Sequence, residues 1–147
     1  MSHGLTAAQV RDFRALAGQI IPASATYGVP GADDELIFGD ILKSLERDRA
    51  DIHCALADLA ELSGGAFTDL DATRRAEVAN ALRERGGLQL AALVRIVLLC
   101  YYRDDRVMHS LGQEPRAPFP KGQEVEQGDW SLLDPVRARP PIWRRVE

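Results

Sequence analysis

Apolar residues recur at steps of three and four through residues 1–112, which is the spacing of helices with one apolar face. The first predicted helix runs from Thr6 to Ile21, and Pro22 stops it. Its apolar row consists of Val10, Phe13, Ala17 and Ile20. Residues 22–32 are a loop by composition, and the acidic residues 33–35 suit the positive end of a second helix. The apolar row of this second helix consists of Ile37, Ile41 and Leu45.

Two further helices are predicted before residue 86. The charged run from Glu46 to Asp51 marks an exposed face or, as we favour, a join to a third helix. The third helix has the apolar row Ile52, Leu56, Leu59 and Leu62. Gly64-Gly65 supplies the left-handed conformation that often ends a helix. Thr68 or Asp71 is expected to accept backbone N–H bonds at the start of a fourth helix, which reaches about Arg85.

A fifth predicted helix, from Leu88 to Tyr102, is apolar nearly all round. Only Gln89 and Arg95 are strongly polar in it, so we expect it to lie centrally among the other helices. At about 15 residues, with a charge inside, it is short of the roughly 20 that a membrane span needs. No strand-length run alternates apolar and polar residues. The predicted fold is all-α, a small bundle of five to six helices.

After Gly112 the composition changes, because six of the eight prolines lie beyond it. The sequence therefore predicts a helical bundle domain at residues 1–112 and an extended Pro-rich tail at residues 113–147. The tail also carries Phe119, Trp130 and Trp143, large apolar side chains in which disordered tails are depleted. They need a surface to bury them, and that surface is either the chain's own bundle or a partner protein, for which tryptophan is a typical anchor.

Charge and leader signals limit the compartment and the partners. The chain is 46% hydrophobic and 27% charged, as is typical of soluble globular proteins. Its net charge is −4, so it does not produce the positive electrostatic field that attracts nucleic acid. No secretory or twin-arginine leader is recognisable, so we expect a cytoplasmic protein, or a periplasmic one if a leader has been removed. Cys54 and Cys100 are too few for a disulfide framework and are expected to be buried thiols.

The residues that could form catalytic or metal-binding motifs do not have the spacing that those motifs require. His53 and Cys54 are neighbours and point about 100° apart on a helix, so they cannot share a metal unaided. Residues 69–73 begin like a calcium loop, but Arg74 and Asn80 stand where glycine and glutamate are needed. No serine has a nucleophile-elbow context and no glycines form a phosphate loop. We therefore assign no catalytic, cofactor-binding or metal-binding residue to this chain.

Four segments, in this order, are more specific than composition: IIP at residues 20–22, PGADDELIFGDIL at 30–42, GGAFTDLD at 64–71 and CYYRDDRVMHSLG at 100–112, before a proline-rich tail. Together they resemble the gluconate 2-dehydrogenase subunit 3 family. The resemblance covers roughly residues 5–122. The chain departs from the family pattern at Asp105, where proline is usual, and at Met108, where an aromatic residue is common.

Members of that family are the small or gamma subunits of flavin-dependent sugar and alcohol dehydrogenases of the glucose–methanol–choline type. The resemblance implies that FAD and the catalytic residues belong to a large partner subunit, which the small subunit wraps and helps to mature. In many members the small subunit also provides the export signal. The function expected for this chain is thus that of a non-catalytic small subunit in a hetero-oligomer.

Two other functions stay open at this point. One is a free-standing helical adaptor or assembly chaperone for a flavoprotein. The other is a small helical enzyme that uses Asp34, His53 or His109 in an arrangement that linear spacing does not reveal.

The partner contact is expected near the end of the fifth helix and along the tail. The residues predicted to form it are Tyr101, Tyr102, Arg106, Phe119, Trp130, Trp143, Arg144 and Arg145. Adjacent tyrosines at a helix end normally place one ring in the core and the other outward, so Tyr101 and Tyr102 are also expected to differ in burial.

Overall fold

The computed structural model describes residues 4–117, 119, 121–122 and 124–140. The helices of this part of the chain are α1 (Ala7–Ile20), α2 (Glu35–Lys43), α3 (Arg49–Ser63), α4 (Ala72–Arg85), α5 (Leu88–Tyr101), α6 (Asp105–Ser110) and α7 (Asp134–Arg137). Short 3₁₀ turns cover Glu46–Asp48, Phe67–Asp69 and Trp130–Leu133. No strand forms in the described ranges, so the predicted all-α bundle is confirmed.

The helix starts follow from side chains that accept backbone N–H bonds. The Thr6 hydroxyl accepts from the Gln9 amide at 3.2 Å and the Gln9 side chain accepts from the Thr6 amide at 2.9 Å, which forms a capping box at α1. Asp34 caps α2, and Asp71 caps α4 by accepting from the Arg74 amide at 2.8 Å. Of the two residues considered for α4, Asp71 is therefore the cap.

The joins between the helices match the sequence patterns. The turn Glu46–Asp48 links α2 to α3, which confirms that residues 46–51 contain a join. Gly64 ends α3 in the left-handed conformation, with φ +66°, as the Gly-Gly pair predicted. Between α1 and α2, the Ala32 amide donates to the Ile21 carbonyl at 2.9 Å and closes the loop.

The core lies where α3 packs against α1, α4 and α5, with α2 on another part of α5. Its largest fully buried side chains include Phe13, Ile37, Ile41, Ile52, Leu59, Phe67, Leu93 and Val97. The Phe13 and Phe38 rings meet edge to face, with centroids 5.4 Å apart. The apolar rows predicted for the second and third helices therefore do face the core.

Two expectations about burial are wrong. Cys54 is exposed, and only Cys100 is a buried thiol; both cysteines are free. Cys54 follows His53 on α3, outside the row Ile52, Leu56 and Leu59 that turns inward. The other error concerns α5, which is buried on one side only. None of the described helices has the length and apolar content that a membrane crossing requires.

The chain divides into two compact units, Met1–Pro115 and Arg116–Glu147, whereas the sequence placed the boundary at residue 112. In the second unit, the 3₁₀ turn Trp130–Leu133 continues directly into α7, and Asp129 caps it by accepting from the Ser131 amide at 3.0 Å. The Pro-rich tail therefore contains one short helical stretch. Its role as a clasp on a partner stays a prediction.

Candidate partner-binding surface

Helix α5 has two apolar sides. Its buried side consists of Ala92, Leu93, Ile96, Val97, Cys100 and Tyr101. Its other side, which we call the α5 outer face, consists of Ala91, Val94, Leu98, Leu99 and Tyr102. Leu99 is 51% exposed and Tyr102 is 53% exposed, so large apolar side chains face outward from the first unit. The prediction that α5 lies centrally is wrong because no other helix of that unit covers this face.

Two arginines flank the α5 outer face, and both are paired within the chain. Arg95 forms an ion pair at 2.6 Å with Asp48, whose side chain is only 10% exposed. The Nε of Arg103 donates to Asp40 at 2.6 Å, and its terminal nitrogen donates to the Ser44 hydroxyl at 2.7 Å. Because the flanking charges already have partners, the attraction that this face offers another protein is chiefly apolar.

The tyrosine pair ends this helix with one ring inward and one outward, as expected. Tyr101 is buried, and its hydroxyl donates to the Pro30 carbonyl at 3.2 Å. The two rings stand at 89° to one another with centroids 5.2 Å apart. Burial raises the pKa of the Tyr101 phenol. Tyr101 thus fixes the loop before α2, whereas Tyr102 extends the outer face.

Arg106 connects two helix starts. Its guanidinium donates to Asp34, the cap of α2, at 2.7 and 3.3 Å, and to Asp104, the cap of α6, at 2.9 and 3.0 Å. The hydrogen bonds to Arg106 hold the pKa of both carboxyl groups below the usual value. We call these three residues the Arg106 clamp. The structure gives Arg106 a bonding role within the chain, and its predicted contact with a partner stays a prediction.

The other predicted contact residues lie in the second unit or beyond the described residues. Phe119 is 85% exposed and Trp130 is 65% exposed. The structure does not test the predicted roles of Trp143, Arg144 and Arg145, because these residues lie outside the described ranges. Trp130 shares the short helical stretch with Leu132 and Val136, which are also exposed.

The residues considered for catalysis have separate partners. Asp34 is bound by Arg106, His53 Nδ1 lies 3.4 Å from Gln9 Nε2, and His109 Nδ1 lies 2.7 Å from the Asp105 carbonyl oxygen. No hydrogen bond or ion pair joins Asp34, His53 and His109 in the part of the chain that the structure describes. The described residues also contain no group of three or more carboxylates, histidines or cysteines placed to hold a metal ion.

Sequence reasoning missed most of the α5 outer face, of which it named only Tyr102. The signal was present, because the residues of this face recur at helical steps just as those of the buried side do. An all-round apolar helix was interpreted as a helix surrounded by its own chain. The same pattern also describes a helix with one side in the core and the other against a separate protein.

No protein-family model, curated protein or solved structure matches this chain. The resemblance to the gluconate 2-dehydrogenase subunit 3 family rests on the four sequence segments alone.

Proposed function

We propose that this chain is a non-catalytic small subunit that binds and stabilises a large FAD-dependent oxidoreductase subunit acting on a sugar or other alcohol. The observation that carries the proposal is the α5 outer face. FAD and hydride transfer belong to the partner in this proposal, and the present chain supplies a binding surface.

The energetics of the outer face support a protein partner. Removing apolar surface from water contributes about 25 cal/mol of favourable free energy per square ångström. The large apolar side chains on the α5 outer face make this contribution only when another molecule covers them. Contiguous apolar patches rimmed by polar groups typically mark contact sites for other proteins. Leu98, Leu99 and Tyr102 form such a patch, with Arg95 and Arg103 at its rim.

The sequence segments shared with the family support the choice of a flavoprotein partner. Segments 30–42 and 100–112 are joined by three contacts: Tyr101 to Pro30, Arg103 to Asp40 and Arg106 to Asp34. Segment 20–22 is joined to segment 30–42 by the hydrogen bond from the Ala32 amide to the Ile21 carbonyl. Most of the family-like residues thus gather at the end of α5, beside Tyr102.

The second unit supports the same function independently of α5. Phe119 and Trp130 are both largely exposed, and burial of one aromatic side chain contributes roughly 2 to 3 kcal/mol before ordering costs. Several such anchors in residues 113–147 would fasten an extended segment to a large partner. Trp143, Arg144 and Arg145 extend the proposed contact to the end of the sequence.

The test is co-purification from the native host followed by interface variants. We expect the tagged chain to bring down a yellow protein with the absorbance of FAD, in a stable stoichiometric complex. Replacing Leu98 and Leu99 together by glutamate buries two charges in an apolar contact and should weaken binding at least about 100-fold. Deleting residues 113–147 should weaken binding as well.

The control replaces Ala72 and Ala76 together by glutamate, which introduces the same two charges at exposed positions of α4. It should leave binding intact, and circular dichroism should show that all the variants remain helical. Undiminished binding by the Leu98/Leu99 variant would exclude the α5 outer face. A partner without FAD would exclude the flavoprotein assignment, and release of the partner after it matures would indicate an assembly chaperone.

A further inference from the structure

Three arginines converge on a cleft formed by α1, the turn Phe67–Asp69 and the first half of α4. The cleft has a volume of about 330 Å³, and its lining consists of Arg11, Arg14, Ala15, Asp33, Thr68 and Arg75. We propose that this cleft binds the phosphate group of a small molecule in its dianionic form. The site shares no residue with the α5 outer face and does not depend on the proposed function.

Two of the three guanidinium groups are held in place by backbone carbonyls. The Nε of Arg14 donates to the Asp33 carbonyl at 2.7 Å, and the Nε of Arg75 donates to the Leu70 carbonyl at 2.8 Å. Arg14 also lies over the Phe38 ring, 6.0 Å from its centroid. Each Nε bond fixes the plane of the group and leaves its two terminal nitrogens for a ligand. Planar donors fixed in advance lose little entropy when they bind an oxyanion.

None of the three arginines forms an ion pair within the described residues, although other arginines of the bundle do. Arg85, Arg95, Arg103 and Arg106 each have a carboxylate within 3.2 Å. By contrast, Arg14 and Arg75 donate their hydrogen bonds to neutral carbonyl oxygens. The cleft therefore gathers three guanidinium groups that no carboxylate of the described residues binds directly.

The acidic residues near the cleft do not cancel this charge. The Asp33 carboxyl group packs against Gly18 and Gly31, where an added Cβ would collide with it, and it is the Asp33 carbonyl that bonds to Arg14. Three guanidinium groups and one carboxylate line the cleft, and with the Asp12 carboxylate behind Thr68 the local excess is one positive charge. Behind the lining, Asp12 accepts from the Thr68 amide and hydroxyl at 3.0 and 2.9 Å and so fixes Thr68 in position.

A phosphate dianion matches this arrangement in charge and geometry. Three guanidinium groups attract the dianion more strongly than the monoanion, and the phosphate oxygens accept paired N–H bonds from guanidinium forks. The cleft is at the lower end of the size range of small-molecule sites, roughly 300 to 1,000 Å³, and has room for a phosphate with a small organic group. A long polyanion such as nucleic acid is disfavoured by the net charge of −4.

The test is an NMR titration of the full chain at constant ionic strength with two probes, inorganic phosphate and glycerol 3-phosphate. Saturable shifts are expected at the amides of Arg11, Ala15, Thr68 and Arg75. Tighter binding of glycerol 3-phosphate would identify an organic phosphate as the ligand, and equal binding would identify free phosphate; both results support the site. Because the second phosphate pKa is about 6, affinity should fall roughly tenfold between about pH 7.5 and 5.

The decisive variant is Arg11→Gln, since the Arg11 side chain is exposed and its loss leaves the backbone-bound Arg14 and Arg75 in place. It should raise the dissociation constant about tenfold through the loss of a charge-assisted bond. The matched control is Arg83→Gln, an exposed arginine about two turns after Arg75 on α4, which should bind as the unaltered chain does. Shifts that never saturate, or equal behaviour of the two variants, would overturn the proposal.

Discussion

Helices α4 and α5 have the same length, 14 residues, and both pack against α3, yet they present opposite surfaces. The outward positions of α4 carry polar groups, namely Thr73, Arg74, Glu77, Asn80, Arg83 and Glu84. The outward positions of α5 are mostly apolar, with Leu98, Leu99 and Tyr102 among them. A solvated helix gains nothing from apolar side chains on its outer side, whereas a helix between two proteins does. This contrast is the basis for proposing α5 as the helix that contacts a partner.

The ends of the two helices differ as well. Helix α4 starts at a side-chain cap, Asp71, whereas α5 starts after Gly86 and Gly87, with φ of +65° and +99° and no side-chain cap. At the other end, Arg85 of α4 pairs with the exposed Glu61 and with Asp58. The end of α5 lies beside the Arg106 clamp, whose two carboxylates are less exposed than those of Asp58 and Glu61.

The largest effect is expected from the buried side of α5. Leu93 is fully buried, so Leu93→Ala removes apolar contacts and leaves a cavity, at a cost of about 3 to 4 kcal/mol in the free energy of unfolding. Urea denaturation followed by circular dichroism measures this change. On the outer side, Leu99→Ala should cost less than about 1 kcal/mol because half of that side chain is already in water. Equal losses of unfolding free energy in Leu93→Ala and Leu99→Ala would contradict the difference in burial between the two sides of α5.

A smaller effect is expected at the start of α5. The backbone of Gly87 has φ +99°, which residues with a Cβ adopt only under strain, so Gly87→Ala should lower the unfolding free energy by about 2 kcal/mol. Thermal denaturation measures the loss. The matched control is Gly39→Ala within α2, where an added Cβ meets nothing within 4 Å and should stabilise the chain by about 0.5 to 1 kcal/mol. A Gly87→Ala variant as stable as the parent would show that the start of α5 is not constrained.

The smallest effect is a dependence on acid pH at the end of α5. Because Arg106 lowers the pKa of Asp34 and Asp104, both carboxyl groups stabilise the folded chain above about pH 4. This contribution is lost as the pH falls through their folded-state pKa values. Arg106→Gln should therefore reduce stability at neutral pH by up to about 1 kcal/mol and flatten its decline in acid.

Urea midpoints between about pH 6 and 3 provide the measurement. Arg85→Gln, which removes the exposed pairs at the end of α4, is the control and should change the acid profile less, since solvent screens those pairs. A larger change for Arg85→Gln than for Arg106→Gln would reverse the comparison between the two helix ends.

Much of the bundle followed from local chemistry in the sequence. The caps at Thr6, Asp34 and Asp71 and the glycines at 64–65 and 86–87 fix helix ends through backbone bonds that neighbouring residues make. The rows in α2 and α3 predicted which side turns inward. These features depend on residues a few positions apart, which is why a single sequence reveals them.

The candidate surfaces could not be obtained in the same way. Arg11, Arg14 and Arg75 come together only because α1 packs near the start of α4, and nothing in their spacing along the chain groups them. The exposure of Cys54 and the pairing of Arg106 with Asp34 likewise depend on contacts between distant segments. Periodicity showed that α5 is apolar nearly all round, but it could not show which of its sides the other helices of the first unit cover.

The sequence by itself determined an all-α chain, the ends of several of its helices and a change of composition after Gly112. It also carries the segments that resemble a family of small dehydrogenase subunits. The tertiary structure alone decided that no other helix of the first unit covers the α5 outer face and that Arg106 is bound to two helix caps. It also decided that three arginines with no ion pair among the described residues share one cleft. The physical reason is that capping and periodicity are local interactions. Burial and charge pairing depend on which distant segments the packed core brings together.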